Sequence, residues 1–390
     1  MFKSFKNEKL PKRQGRYYDY KLLMVIMILS CFGLIMVYSS SAYTASSEHG
    51  DASYFLKRQL IISAVSFGIM IWVSKVNYHG WLRLTPVAYF GSLICMLLVD
   101  FSPLGVELNG KKRWLQVIPG IDAARFQPTE LVKLAIIMTM AALMTRYIKR
   151  KTIDLLGSMM KLIIMGLPLI GFVGINNLSS GIIIVGIPVI MYFVASRHNK
   201  LYLFIVAAIA VTLFVSYNFI GVIEHFLHSY QFSRIEVWVD PMSDPTGDGY
   251  QVLQGLYAIG SGGLLGKGLG NSIQKLGFLP ESYNDMVFSV ICEELGLFGA
   301  VCLMILFAYM IYRFVYIACR APDEEGLLLV TGVMAHISLQ VLLNIAVVTN
   351  TIPNTGVTLP FISYGGTSVV FLMAEMGLVL SVSNQIIYER

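Results

Sequence analysis

Apolar residues in this chain come in long runs, and polar residues gather between them. The runs stand near residues 20–38, 60–74, 86–101, 127–147, 155–175, 181–195, 201–222, 286–312, 326–348 and 367–387. A helix that crosses a bilayer needs roughly 20 predominantly apolar residues. The pattern therefore predicts an all-α polytopic membrane fold with about ten transmembrane helices. An even number of crossings puts both ends of the chain on one side. Three polar stretches are long enough to fold outside the bilayer: 103–126, 223–285 and 350–366. The second is expected as a long loop between helices seven and eight. No internal repeat is evident, which disfavours an inverted-repeat transporter.

Basic residues orient the chain. Nineteen of the 29 Lys/Arg fall on the side that carries the N-terminus, nine fall on the other, and Lys133 lies inside a span. The Lys/Arg excess marks the cytoplasmic side, so both termini are expected there and the three long segments outside. The remaining cytoplasmic loops are too short for a nucleotide-binding domain. Composition agrees with lipid as the main solvent: only 13% of residues are charged, against roughly 25% in soluble domains. The net charge of +6 does not point to nucleic acid. Seven basic residues lie in Met1 to Lys21, at the start of the first run, and segment 1–19 reads as a cytoplasmic anchor for anionic lipid. The first run is long for a signal peptide and reads as a retained helix. The five cysteines lie in or at the ends of apolar runs, without metal-ligand spacing. They read as buried thiols outside any disulfide framework.

Candidate chemistry gathers in the outer segments. The run Gly-Ser-Gly-Gly-Leu-Leu-Gly-Lys-Gly-Leu-Gly at 260–270 suggests a phosphate loop, but Ser261 and Gly268 stand where the Walker pattern needs Gly and Ser/Thr. It reads as a tightly turned, re-entrant or interfacial segment, with Lys267 and Lys275 either reaching a ligand or anchoring the interface. Asp285 stands where a loop becomes a helix, an N-cap position that would fix its carboxylate. Glu293 and Glu294 follow in an apolar helix and imply a polar cavity or a helix end. Glu130 and Lys133, spaced i, i+3, can pair on one helix face as a strut or as part of the site. Segment 353–368 is dense in turn formers and hydroxyls, including Ser363 and Tyr364, and reads as a cavity wall. The sequon Asn177-Leu178-Ser179 lies against a span and carries little weight.

Six motifs together resemble the SEDS family (shape, elongation, division and sporulation) of peptidoglycan glycosyltransferases. They are Asn109-Gly110-Lys111-Lys112-Arg113-Trp114-Leu115, Gln127-Pro128-Thr129-Glu130-Leu131-Val132-Lys133, Gly266-Lys267-Gly268-Leu269-Gly270, Leu279-Pro280-Glu281 leading to Asp285, Glu293-Glu294-Leu295-Gly296, and Leu359-Pro360-Phe361-Ile362-Ser363-Tyr364-Gly365-Gly366. The match spans essentially the whole chain, 1–390, as one membrane domain. The resemblance implies ten spans in a bacterial cytoplasmic membrane and polymerisation of lipid II on the outer leaflet. It implies Asp285 as the essential carboxylate and Glu130 and Lys133 as the fourth-span pair. It also implies a class B penicillin-binding protein as partner, beside other divisome or elongasome proteins, and a divalent cation such as Mg or Mn with no organic cofactor. Two departures stand out. Asn176-Asn177-Leu178-Ser179-Ser180 replaces a common Pro-Asp turn, which weakens any two-carboxylate scheme, and Asn284 replaces a common Thr. Thr358-Leu359-Pro360 and the Asn-Leu-Ser-Ser turn resemble the division (FtsW-type) branch more than the elongation (RodA-type) branch.

In the expected chemistry a sugar hydroxyl attacks an anomeric carbon and a polyprenyl diphosphate leaves. Asp285 is the candidate base. Lys111, Lys112, Arg113, Arg234, Lys267 and Lys275 are candidates to meet the diphosphate charge, with Ser363 and Tyr364 lining the site. A lipid II flippase, a recruiting scaffold, and elongation- or sporulation-type polymerases are the competing readings.

Overall fold

A computed structural model of the 390-residue chain describes residues 14–108, 111–116, 125–149, 178–195 and 229–389, with four positions between 168 and 173. The elements are β1 (Gln14–Tyr17), α1 (Tyr20–His49), α2 (Tyr54–Lys75), α3 (Tyr78–Arg83), α4 (Thr85–Phe101), β2 (Gly105–Leu108), β3 (Lys111–Gln116), β4 (Arg125–Phe126) and α5 (Pro128–Lys149). They continue with α6 (Leu178–Ala195), α7 (Ser229–Val239), α8 (Asp248–Gly262), α9 (Val287–Arg320), α10 (Glu324–Val348), α11 (Gly366–Ser383) and β5 (Ile386–Glu389). Six helices, α1, α2, α5, α9, α10 and α11, are long and apolar enough to cross a membrane, and α4 and α6 are shorter apolar helices. Eight of the ten apolar runs thus coincide with helices. The run at 201–222, all but four positions of the run at 155–175, and Asn176 and Asn177 lie outside the described residues, while Leu178–Ser180 of the expected turn open α6.

Helix ends differ from the apolar runs for identifiable reasons. α1 continues past residue 38 because its serines satisfy themselves locally: Ser40 and Ser41 donate to the carbonyls of Met36 and Val37 at 2.7 and 2.6 Å. Its start is fixed by Asp19, whose carboxylate accepts from Leu22 N–H at 2.9 Å and pairs with buried Arg313 at 2.5 Å. β1 pairs antiparallel with β5, Gln14 opposite Glu389, so the two described ends of the chain lie together.

Side-chain burial separates two kinds of apolar surface. One cluster of buried residues joins α1, α2, α5, α6, α9, α10 and α11. α2 and α11 approach so closely that a Cβ on Gly377 would lie 2.7 Å from the Met70 carbonyl oxygen. Other large apolar side chains, such as Ile61, Trp72, Phe90 and Phe298, point outward, as lipid-facing positions do. The cysteines follow the same division. Cys292 is buried, but Cys31, Cys302 and Cys319 are exposed and Cys95 is intermediate. The expectation that all five are buried is corrected: an apolar helix in lipid can turn a thiol outward at little cost.

The segment expected as one long loop, 223–285, is largely folded in its described part. It holds α7, α8 and a turn-rich stretch from Gly263 to Met286. α9 is interrupted at Gly296, with φ 65° and ψ −168°, a conformation that favours glycine. The Gly-rich run satisfies the backbone groups around the break. Lys267 and Gly268 N–H donate to the Glu293 and Glu294 carbonyls at 2.9 Å each. Leu297 and Phe298 N–H donate to the Gly263 and Leu264 carbonyls at 2.9 and 3.1 Å. The run is therefore a tight turn docked on a broken helix, and Leu264 and Leu265 are its exposed apolar tip.

Candidate functional site

Asp285 sits one residue outside the expected cap. The residue that caps α9 is Met286, and it makes no side-chain cap bond. The Asp285 carboxyl instead draws on the backbone N–H groups of Asp285 and Met286. Gln251 on α8 approaches it with Nε2 3.5 Å from Oδ1, and the other end of that amide accepts from Asn354 at 3.0 Å. Arg234 on α7 donates to the Asn354 carbonyl at 2.6 Å. Asn344 on α10 donates to the carbonyls of Asp285 (2.8 Å) and Val357 (2.6 Å). Ser363 donates to the Asn284 carbonyl at 2.6 Å and accepts from Leu359 N–H at 2.7 Å. Tyr364 N–H donates to the Tyr283 carbonyl at 2.9 Å. The 350–366 segment is thereby stitched to Asp285 from both sides. Burial pushes the Asp285 carboxyl up to about 7, helped by the nearby charge of Glu281 and opposed by the two backbone N–H groups and Arg234.

A second polar group lies deeper. Lys133 pairs with Glu130 at 2.8 Å and donates to Gln340 Oε1 at 3.3 Å. Glu130, His336, Gln340, Ser363, Tyr364 and Ser368 line one cavity. Beside its mouth Phe55 stacks on Tyr283 (centroids 4.8 Å apart) and meets Tyr364 edge-on at 5.1 Å.

The expected cationic residues divide into two groups. Lys267 pairs with Glu293 at 2.7 Å and Lys275 with Glu294 at 2.6 Å. Ser272 also donates to Glu293 at 2.5 Å, and Ser39 donates to Glu294 at 2.7 Å. The polar cavity inferred around the two glutamates is thus filled by the protein's own lysines and serines, and the charge of both lysines is used inside the fold. Arg234 is tied to the segment above Asp285. Lys112 and Arg113 lie on β3, exposed and half-buried respectively, while the Lys111 side chain is outside the described residues. β3 pairs with β4, which leads directly into α5 and Glu130.

One His/carboxylate trio among the described residues is close enough to share a metal ion: His79, Asp323 and Glu325. It lies at the start of α10, whereas Asn344 and Asp285 lie at its other end. Their separation along the helix is roughly 30 Å. Sequence reading missed Gln251, Asn354, Asn344, Gln340, His336 and Glu375. The signal for the last four was present, because polar residues inside apolar runs mark interior or functional positions.

Six helices long and apolar enough to cross a membrane, with a polar cavity lined by Glu130, His336 and Gln340 beside the folded 350–366 segment, define a polytopic membrane protein. Residues 20–387 match the family described as cell cycle protein, FtsW/RodA/SpoVE, and the chain belongs to that family. Stage V sporulation protein E of Bacillus subtilis is 34% identical across 94% of this chain and 97% of its own length. A probable peptidoglycan glycosyltransferase FtsW of Geobacter metallireducens is 32% identical across 97% of this chain and 98% of its own. A structure described as "Structural coordination of polymerization and crosslinking by a peptidoglycan synthase complex" superposes with a TM-score of 0.74 at 26% identity, covering 94% of this chain and 97% of that one. The rod shape determining protein RodA of Thermus thermophilus, at 22% identity, shares the fold with a TM-score of 0.65 over 95% of this chain and 97% of its own. The resemblance carried by the six motifs is borne out.

Proposed function

We infer that the chain is a peptidoglycan glycosyltransferase that polymerises lipid II on the outer face of a bacterial cytoplasmic membrane, in the septal, FtsW-type role. The names of the Geobacter relatives support the activity and the branch. A sporulation-type role is the alternative, supported by the 34% identity to stage V sporulation protein E. Ten spans with both termini cytoplasmic complete the topology, supported by the two undescribed apolar runs, the Lys/Arg asymmetry and the β1–β5 pairing. A class B penicillin-binding protein is the proposed partner, supported by the resemblance to a synthase complex that couples polymerisation to crosslinking.

The observation that carries the mechanism is Asp285 itself. It is a carboxyl held by its backbone and by Gln251, with its acidity moved to about 7 by burial. A base with that value can take the acceptor hydroxyl's proton near neutral pH and return it afterwards. Arg234, whose charge acts on Asp285, is the first candidate to meet the leaving diphosphate, with Lys112 and Arg113 of β3 as further candidates. Tyr364, Tyr283 and Phe55 offer aromatic faces suited to sugar rings. Glu281 adds a second negative charge near Asp285, which helps to raise its value. A hard divalent cation would be held chiefly by the substrate's diphosphate oxygens, leaving Asp285 free as the base. Polyprenyl tails stay in lipid while headgroups meet at the cavity.

Gel analysis of polymer made from purified lipid II tests the reading. Wild type forms ladders; Asp285→Ala forms none, while inserting normally and retaining its partner. Wild-type-like polymer from that variant excludes Asp285 as base. Wild type that moves lipid II without polymerising it identifies a flippase instead.

A further inference from the structure

His336 and Glu375 form a buried pair on α10 and α11, with His336 Nδ1 2.7 Å from Glu375 Oε2. The surrounding hydrogen bonds fix where the protons are. Gln340 Nε2 donates to the Thr358 carbonyl at 3.0 Å, so Gln340 Oε1 is the end that faces Lys133 and His336. That oxygen accepts from Lys133 at 3.3 Å and stands 2.8 Å from His336 Nε2. His336 Nε2 therefore carries a proton. Nδ1 and the Glu375 oxygen must then share one between them, since two lone pairs at that separation would repel. The assignment holds whichever partner owns the shared proton.

The consequence reaches the cavity. Gln340 is bound to Lys133, to Thr358 and to His336 at once, and it lines the cavity beside Glu130, Ser363 and Tyr364. A ring in the other tautomer would present a lone pair to Gln340 Oε1. The amide would then turn over, putting its NH2 against the Lys133 ammonium and its oxygen against the Thr358 carbonyl. Both contacts with the wall would be lost.

We propose that His336 is a positioning residue for the polymerase reaction, holding Gln340 and through it Lys133 and the Thr358 segment in the substrate cavity, and that Glu375 fixes the tautomer that makes this possible. The proposal rests on the reading that this cavity receives the lipid-linked substrate. Its physical core, the tautomer, can be read independently of activity.

The test uses full-length protein with 15N-labelled histidine, observed by NMR, together with steady-state polymerisation of lipid II. Glu375→Gln replaces the shared proton with an amide N–H. It retains the Nε2-protonated ring and polymerises within about twofold of wild type. Glu375→Leu loses that ring signature, and its kcat/KM falls about tenfold, the effect of releasing one or two buried hydrogen bonds. His336→Gln keeps a donor toward Gln340 and retains more activity than His336→Leu; this pair decides the matter if Glu375→Leu does not fold. Equal losses in Glu375→Gln and Glu375→Leu overturn the proposal, because charge rather than proton position would then be the requirement. So does a wild-type ring that carries no proton on Nε2. A normal ring signature with no polymer from wild type would instead count against the polymerase reading.

Discussion

Lys275 Nζ lies 2.6 Å from Glu294 Oε1, and both side chains are buried. The lysine comes from the segment after the Gly-rich turn and the glutamate from the short stretch of α9 before its break. Their pairing locks the turn to the helix from which Asp285 hangs. Removing one partner leaves the other as an uncompensated buried charge, which typically costs about 3–5 kcal/mol. Lys275→Met is expected to lower the unfolding temperature of the detergent-solubilised protein markedly. Lys275→Met combined with Glu294→Gln should recover most of the loss. A single variant as stable as wild type would show the pair to be solvated.

Gly296 makes a second connection to the same turn. Its positive φ is strained for any other residue, and a Cβ there would come within 2.6 Å of the Leu264 backbone. Gly296→Ala is expected to cost at least about 1–3 kcal/mol from backbone strain, with further loss as the turn is displaced. Thermal unfolding and limited proteolysis in 263–278 read the two parts separately.

Much of this arrangement was legible in the sequence. Helix type, and the position of eight of the ten apolar runs, followed from the sequence, because bilayer thickness dictates their length. Asp285, Glu130 and Lys133 stood out because charges beside apolar runs are rare. The partners of Glu293 and Glu294 were not legible. Lys267 and Lys275 lie 26 and 19 residues from their partners, in a segment docked on the break at Gly296, and the same charges read equally well as ligand anchors. The cap position of Asp285 was missed by one residue because helix boundaries are less certain than helix existence. His336 and Glu375 were visible as polar residues in apolar runs, but their meeting is a fact of tertiary packing.

Asn344 offers a test of the site without touching its charge. Its side chain bridges the carbonyls of Asp285 and Val357, tying the proposed base to the 350–366 segment. Asn344→Leu leaves both carbonyls without that donor, at a cost of about 1–3 kcal/mol in stability. Polymerisation should fall about tenfold or more, because small misplacements of a catalytic group are expensive in rate. Full activity in this variant would mean that Asp285 is placed by its own helix alone.

Asp285 itself yields the sharpest pH dependence. Its carboxyl is moved from an ordinary value of 3.8 to about 7 by burial. As a base it acts only when ionised, so polymerisation should rise with pH and level off above about 7. Stability should move in the opposite direction. Between 3.8 and about 7 the folded protein keeps a proton that the unfolded chain has released. A folded state that binds more protons loses stability as pH increases. The contribution of Asp285 is thus fully present below the unfolded value and lost as pH rises through the folded one. Asp285→Asn has no such proton to lose. The gap in unfolding temperature between variant and wild type should widen from pH 4 to pH 7 and then stay constant, while the variant makes no polymer at any pH. A gap that does not change with pH would place the Asp285 carboxyl in water and remove the physical basis for its role as a base.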